Sequence, residues 1–279
     1  MDWIESICQL NKEVRQQQPL IHHITNLVVH NITANITLAT GAAPVMMGAV
    51  EDAAAMTKNA QALVLNCGTL ALDSVAGMLA AGEAANDNDI PVILDPVAVG
   101  STPFRTEMIL KVMEQIKTTS IRGNSSEMSF LAGRGGRPRG VDARPDDHLD
   151  EAALDHDRSQ IAVTVARKYA TVAAVTGRYD YVAHGEELVR IDNGHPLLTA
   201  VTGTGCMATS VIAAWLATAQ DSFLATAGGL AAYGVAAEIA AEKANGPGTF
   251  QAHLLDAIYK LDPEQLKNRL NIKTLKVVE

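Results

Sequence analysis

Four short runs constrain this chain more than anything else in it: ALVLN at 62–66, PVILD at 91–95, SIRGN at 120–124 and ATVAAVT at 170–176. None alternates apolar and polar residues as a half-exposed strand must, so each reads as a strand covered on both faces. Helical stretches separate them, at 53–60, 74–86, 107–116 and 151–168. This alternation predicts an α/β fold, a mostly parallel central sheet with helices on both faces. Residues 179–192 break the pattern: two short strands turn at Gly185–Glu186, which predicts a hairpin at an antiparallel edge. From Met207 to Leu261 the chain reads as nearly all helix, so the C-terminal third is helix-rich. No repeat and no linker interrupts it, so residues 1–279 are expected to form one domain. The Gly/Arg/Pro-rich segment 133–147 reads as an exposed loop.

Hydrophobic residues make up 48% of the chain but aromatics only 4%, which points to a large core of small aliphatic side chains. The formal net charge of −9 argues against nucleic acid and anionic membrane as partners. Three widely spaced cysteines (Cys8, Cys67 and Cys206) form neither a disulfide framework nor a zinc pattern. Residues 1–20 are too polar for a secretory leader, and the apolar region 211–241 is broken by Gln220, Asp221, two adjacent glycines and Glu238. The expectation is a soluble, cytoplasmic protein.

Each of the four runs ends in a polar residue: Asn66, Asp95, Asn124 and Thr176. Such residues often only start turns. In an open parallel sheet, however, ligands bind beyond the carboxyl ends of the strands, and four polar ends together predict a site there. The turn Val201-Thr202-Gly203-Thr204-Gly205-Cys206 runs into a helix. Its glycines allow close backbone approach, and unpaired amides at a helix start suit an anion. Cys206, in the first turn, is either a buried packing residue or a thiol whose pKa the helix terminus lowers. Asn124 and Glu127 have capping-box spacing, and equally suit a carboxylate that positions hydrated magnesium. Asp95 is a second acidic group, or the start of the turn at Pro96. Arg122, on a buried strand, needs an anionic partner. Met46 is core filling or a ligand contact; His22, His23 and His30 read as structural, among them exposed histidines, and Cys67 as packing.

VTGTGC, together with HHITNLVVHNITAN, GAAPVMM, NCGTL, ILDPVAVGSTPFR, IRGNSSE, GVDA, VTG and GPGTF in this order, resembles the hydroxyethylthiazole kinases of the ribokinase-like superfamily along nearly the whole chain. The resemblance implies a ribokinase-like fold and transfer of the γ-phosphoryl of ATP to the hydroxyl of 5-(2-hydroxyethyl)-4-methylthiazole, with Mg2+, in thiamin salvage. It implies that Cys206 stands where most of the superfamily has a catalytic Asp, as base or as orienter of the alcohol. It further implies substrate contacts from Met46, Gly203 and Asn26, ATP contacts from Arg122, Thr176, Asn124 and Gly205, and a metal held near Glu127 and Asp95. A homotrimer with sites between subunits follows from the same likeness. Arg178 departs from the pattern, where an acidic residue is common after Gly177. The alternatives are another ribokinase-like small-alcohol kinase, such as a pyrimidine kinase, an ATP-dependent hydrate dehydratase, or a nucleotide-binding sensor without catalysis. Cys206 argues against the first two kinds, and intact Asp95, Arg122, Asn124, Glu127 and Cys206 against the third.

Overall fold

A computed structural model describes residues 2–134 and 151–277. Nine strands form one sheet in the order β2-β1-β3-β4-β5-β6-β7-β8-β9. These are β1 (Leu20–Ile24), β2 (Ala43–Met46), β3 (Ala62–Asn66), β4 (Val92–Asp95), β5 (Ser120–Asn124), β6 (Val172–Thr176), β7 (Asp180–His184), β8 (Glu187–Ile191) and β9 (Ile272–Leu275). From β2 to β6 every pairing is parallel, and from β6 to β9 every pairing is antiparallel. The four runs are the central strands, and the hairpin turns where expected, with Gly185 at a φ of 58°.

Three strands escaped the pattern search. In β1, His22 and His23 give a buried strand a polar look; the two side chains are 0% and 1% exposed rather than at the surface. Pro44 in β2 is tolerated because β2 is the outermost strand and pairs only with β1. The last strand, β9, is only four residues long and closes the other edge.

Helices α3 (Val50–Thr57), α4 (Leu72–Asp87), α5 (Pro103–Gln115), α6 (Ser125–Leu131) and α7 (Glu151–Tyr169) cover one face; their apolar side chains pack with Leu63, Leu65, Val92, Leu94 and Val175. Onto the other face pack α1 (Trp3–Gln17), α2 (His30–Thr40), α8 (Thr204–Leu216), α9 (Ser222–Ala241), α10 (Pro247–Lys260) and α11 (Pro263–Arg269), against Ala62, Val64, Ile93, Val172 and Ala174. Alternate residues of one strand thus feed both cores, which is why the strand sequences lack alternation. The helix Ser222–Ala241 is long and apolar enough to span a bilayer, contrary to the reading of that region as too broken. It is a core helix here: 89% of its most apolar window is buried within the protein. The segment 133–147 lies, beyond its first two residues, outside the described residues.

Candidate active site

The carboxyl ends of β1, β3, β4, β5 and β6 converge below the first turn of α8. Gly203 makes that approach possible. Its φ is 85°, and a Cβ there would lie 2.6 Å from Val29 Cγ1, so only glycine fits without strain. The first helical hydrogen bond runs from Met207 N to Gly203 O, 2.8 Å, so the amides of residues 204–206 lie ahead of the ladder and are available to an anion. Gly205 is pressed against the Arg122 guanidinium: a Cβ at 205 would meet Arg122 Nη1 at 2.6 Å.

Arg122 lies 3.8 Å from the Asp95 carboxylate and donates to Thr176 Oγ1 at 2.5 Å. Thr176 in turn donates to Gly123 O at 3.2 Å, which fixes its hydroxyl as an acceptor for the arginine. Asp95 is 1% exposed; its Oδ2 accepts from Asn66 at 2.8 Å and Thr209 at 3.1 Å, whereas its Oδ1 has no hydrogen-bond partner. Arg122 Nε is likewise buried without one. Two orphaned polar atoms of opposite sign side by side are what a cation and a phosphate oxygen would satisfy. Burial raises the Asp95 carboxyl above its ordinary pKa, and the Arg122 charge opposes the rise.

Glu127 and Asn124 form the capping box. Asn124 Oδ1 accepts from Glu127 N at 3.0 Å, and Glu127 Oε2 accepts from Asn124 N at 2.8 Å. The other oxygen of Glu127 accepts from Ala98 N at 2.8 Å, tying the loop after β4 to the helix after β5. Burial first, and then the charge of Asp95, push the Glu127 carboxyl up to about 7. Both oxygens of Glu127 are thus engaged by the backbone, whereas one oxygen of Asp95 is bare. Among the described residues no cluster of three or more His, Cys, Asp or Glu forms a metal cage.

Cys206 Sγ is approached by Asn66 Nδ2 at 3.2 Å and Asn26 Nδ2 at 3.7 Å. The expected fall in its pKa does not occur. Burial, then the charge of Asp95, push the thiol up to about 12, outweighing the nearby Arg122 and the hydrogen bonds from Asn66 and Asn26. Met46 closes β2, half-buried and in register with His23. His22 bonds Thr57 Oγ1 at 2.8 Å and Met47 O at 2.6 Å, His23 Nε2 lies 3.3 Å from Thr37 Oγ1, and His30 reaches Thr25 O at 3.1 Å, so all three histidines serve the framework. The site residues read from the sequence therefore gather at one edge, with Met46 at its margin.

Sequence reasoning passed over Thr209, which follows Cys206 by three and so faces the sheet with it. It also passed over Arg105, which donates to the carbonyls of Cys67, Val97 and Gly68 and binds two site loops together. Asp180 Oδ1 accepts from Gly177 N at 3.0 Å, while Arg178 lies over the Tyr179 ring at 5.4 Å. The outer end of the site, around the loops after β1 and β2, is more open. Leu27 and Val28 follow β1 and are 76% and 69% exposed; Val50, Leu72 and Phe104, after β2, β3 and β4, are exposed as well. A groove of about 660 Å³ opens at Val28, lined also by Ile32, Thr202 and Leu255 among others.

Parallel strands ending in acidic and cationic groups beneath a glycine turn define the ribokinase-like class of small-molecule kinases. The pyridoxal kinase from Staphylococcus aureus in complex with pyridoxal shares the fold, with a TM-score of 0.61 at 14% identity over 93% of this chain and 99% of its own. Closer likeness is specific: the profile of the Hydroxyethylthiazole kinase family matches residues 11–264, and the chain belongs to that family. A hydroxyethylthiazole kinase of Moorella thermoacetica is 49% identical over 275 residues, 99% of this chain and 100% of the relative. The structure of the hydroxyethylthiazole kinase from Pyrococcus horikoshii superposes with a TM-score of 0.88 at 36% identity, covering 98% of this chain and 100% of that one.

Proposed function

We infer that this chain is an ATP-dependent kinase of 5-(2-hydroxyethyl)-4-methylthiazole, acting in thiamin salvage as a single domain over residues 1–279. The observation that carries the reading is the buried Asp95–Arg122 pair, each with an orphaned polar atom, under the open amides of residues 204–206. The family's relatives supply the choice of alcohol.

Arg122, held by Thr176, and the amides of Gly205 and Cys206 stabilise charge on the transferring phosphoryl group, while Asn124 sets the helix start on the nucleotide side. Asp95, with Glu127 acting through water, would hold Mg2+, which supplies charge neutralisation between the phosphates when bound. Asn26, Met46 and Gly203 receive the thiazole and aim its hydroxyl at the phosphorus. Phosphoryl transfer asks for positioning more than for covalent help. A thiol held near 12 suits Cys206 to orienting the hydroxyl rather than abstracting its proton. The exposed apolar side chains on the alcohol side support a homotrimer whose neighbouring subunits cover that half of the site. The chemistry needs only cytoplasmic ATP and a small alcohol; nucleic acid and membrane play no part in it.

The test is the purified protein with ATP, Mg2+ and the thiazole alcohol, following thiazole phosphate by phosphorus NMR. Turnover that depends on both the alcohol and the metal is the expected result. Phosphorylation of pyridoxal or a hydroxymethylpyrimidine in preference to the thiazole would replace the reading with another kinase. Nucleotide binding without turnover on any alcohol would replace it with a sensor.

A further inference from the structure

Asn66 stands where most of the hydrogen bonds linking the alcohol side of the site to the phosphate side cross; beside it runs the longer direct contact from Asn26 Nδ2 to Cys206 Sγ, 3.7 Å. Asn66 is 2% exposed, at the end of β3. Its oxygen accepts from Gly68 N at 3.0 Å and from Asn26 Nδ2 at 2.8 Å; its nitrogen donates to Asp95 Oδ2 at 2.8 Å and to Cys206 Sγ at 3.2 Å. A primary amide has two donors and two acceptor lone pairs, and all four are used. The orientation of the amide is fixed by chemistry, since a backbone N–H can only donate to the oxygen and a carboxylate can only accept from the nitrogen.

Asn26 is fixed in the same way, because its oxygen accepts from Val28 N at 3.1 Å. The bonds therefore run in one direction: Val28 N–H to Asn26, Asn26 N–H to Asn66, Asn66 N–H to Asp95 and Cys206. Each amide that accepts a hydrogen bond donates a stronger one, so the chain is cooperative. Its first member sits beside the exposed Leu27 and Val28, and its last members are the orienting thiol and the metal-side carboxylate. Gly68 is shaped for this: a Cβ there would fall 2.5 Å from Asn26 Nδ2.

We propose that Asn66 is a positioning residue for phosphoryl transfer, holding Cys206 and Asp95 in register with Asn26 so that seating the alcohol aligns the phosphate side. The donated N–H occupies the sulfur as acceptor on the side of β3 and thereby turns the S–H away from Asn66, leaving it to the Asp95 carboxylate. The assignment rests on the kinase reading above. With all four of its hydrogen-bonding positions taken by protein groups, Asn66 acts through its neighbours, so its loss acts on turnover more than on affinity for ATP.

The experiment compares wild type, Asn66→Ala, Asn66→Asp, Cys206→Ala and the Asn66→Ala/Cys206→Ala pair, with thermal denaturation to confirm folding. Asn66→Ala is expected to lower kcat about 10- to 100-fold, the size of one buried hydrogen bond to a charged group, with the KM for ATP within about 2-fold of wild type. Asn66→Asp keeps the shape but removes both donors, and should lose at least as much. In the Cys206→Ala background the Asn66→Ala loss should shrink several-fold, because part of its action runs through the sulfur. A loss of equal size in both backgrounds, or an Asn66→Asp variant with wild-type turnover, overturns the proposal. Should the Asn66 variants fail to fold, the side-chain amide protons of Asn66 in labelled wild-type protein and in Cys206→Ala decide by NMR. One of the two should shift when the sulfur is removed, and an unchanged pair overturns the proposal. A wild-type enzyme without turnover on the thiazole alcohol would count against the kinase reading itself, and is thereby distinct from either result.

Discussion

The two halves of the strand-end site are built to different standards. On the phosphate side, Asp95, Arg122, Glu127 and Thr176 are locked by hydrogen bonds within the chain, and Asp95 and Glu127 are 1% and 3% exposed. On the alcohol side, β2 is half-buried throughout and Leu27, Val28 and Leu72 stand in solvent. Charge must be met by a rigid, dry arrangement to be worth anything in the transition state, so that half is finished inside one chain. An apolar ring needs only enclosure, and on the proposed function a neighbouring subunit would supply it, with reactivity in the closed half and selectivity in the open one.

The comparison breaks first at Asp95. Asp95→Asn keeps an oxygen for Asn66 and Thr209 but removes the buried charge, and kcat should fall about 1,000-fold, with the fold intact by circular dichroism. Near-normal turnover would mean that the phosphate half is not the reactive one. Next is Gly205→Ala, whose methyl must displace Arg122. The KM for ATP should rise about 10- to 100-fold, consistent with weakening a charged contact to phosphate, while the KM for the alcohol holds. Equal effects on both substrates would dissolve the division.

The open half is sharpened by Leu27→Asp combined with Leu72→Asp. Sedimentation should shift from trimer toward monomer, with the alcohol KM up about 10-fold and ATP binding by calorimetry unchanged. Wild type sedimenting as an active monomer would refute the shared site outright. Cys206→Ser lies at the junction of the halves. An orienting role predicts a fall in kcat of no more than about 5-fold, since a hydroxyl donates and accepts as a thiol does. A far steeper loss would restore Cys206 as the base.

The smallest effect concerns Asp180, beside the phosphate half. Burial raises its pKa from 3.8 to about 6, so between these values the folded protein holds a proton that the unfolded chain releases. Stability therefore falls as pH rises through that window, and the full penalty is present above it. Asp180→Asn should be more stable than wild type by about 1 kcal/mol at pH 8, after allowance for its partial exposure, and equal to it below pH 3.8. Denaturant melts at the two pH values check the sign.

Local chemistry made much of this readable. The central strands, the Asn124–Glu127 cap and the Gly203–Gly205 turn each depend on neighbours in sequence, and each stands where the pattern put it. What could not be read depends on distant residues. The thiol of Cys206 obeys burial and Asp95 rather than its own helix, and β1 hides behind two histidines whose partners, Thr57, Met47 and Thr37, come from later segments. The junction role of Asn66 needs four segments folded together, so a single polar residue at a strand end could announce only the edge, not the network.

The place of Met46 on the outermost strand has a consequence for how such an enzyme changes over generations. Asp95 lies on a strand with partners on both sides, so altering its backbone disturbs two ladders at once. β2 answers to β1 alone, and Pro44 leaves its free edge poorly able to recruit a foreign strand. Substitutions around Met46 can therefore accumulate at little cost to folding or solubility. If Met46 contacts the alcohol as proposed, the choice of alcohol is free to drift while the machinery that moves the phosphoryl group stays fixed.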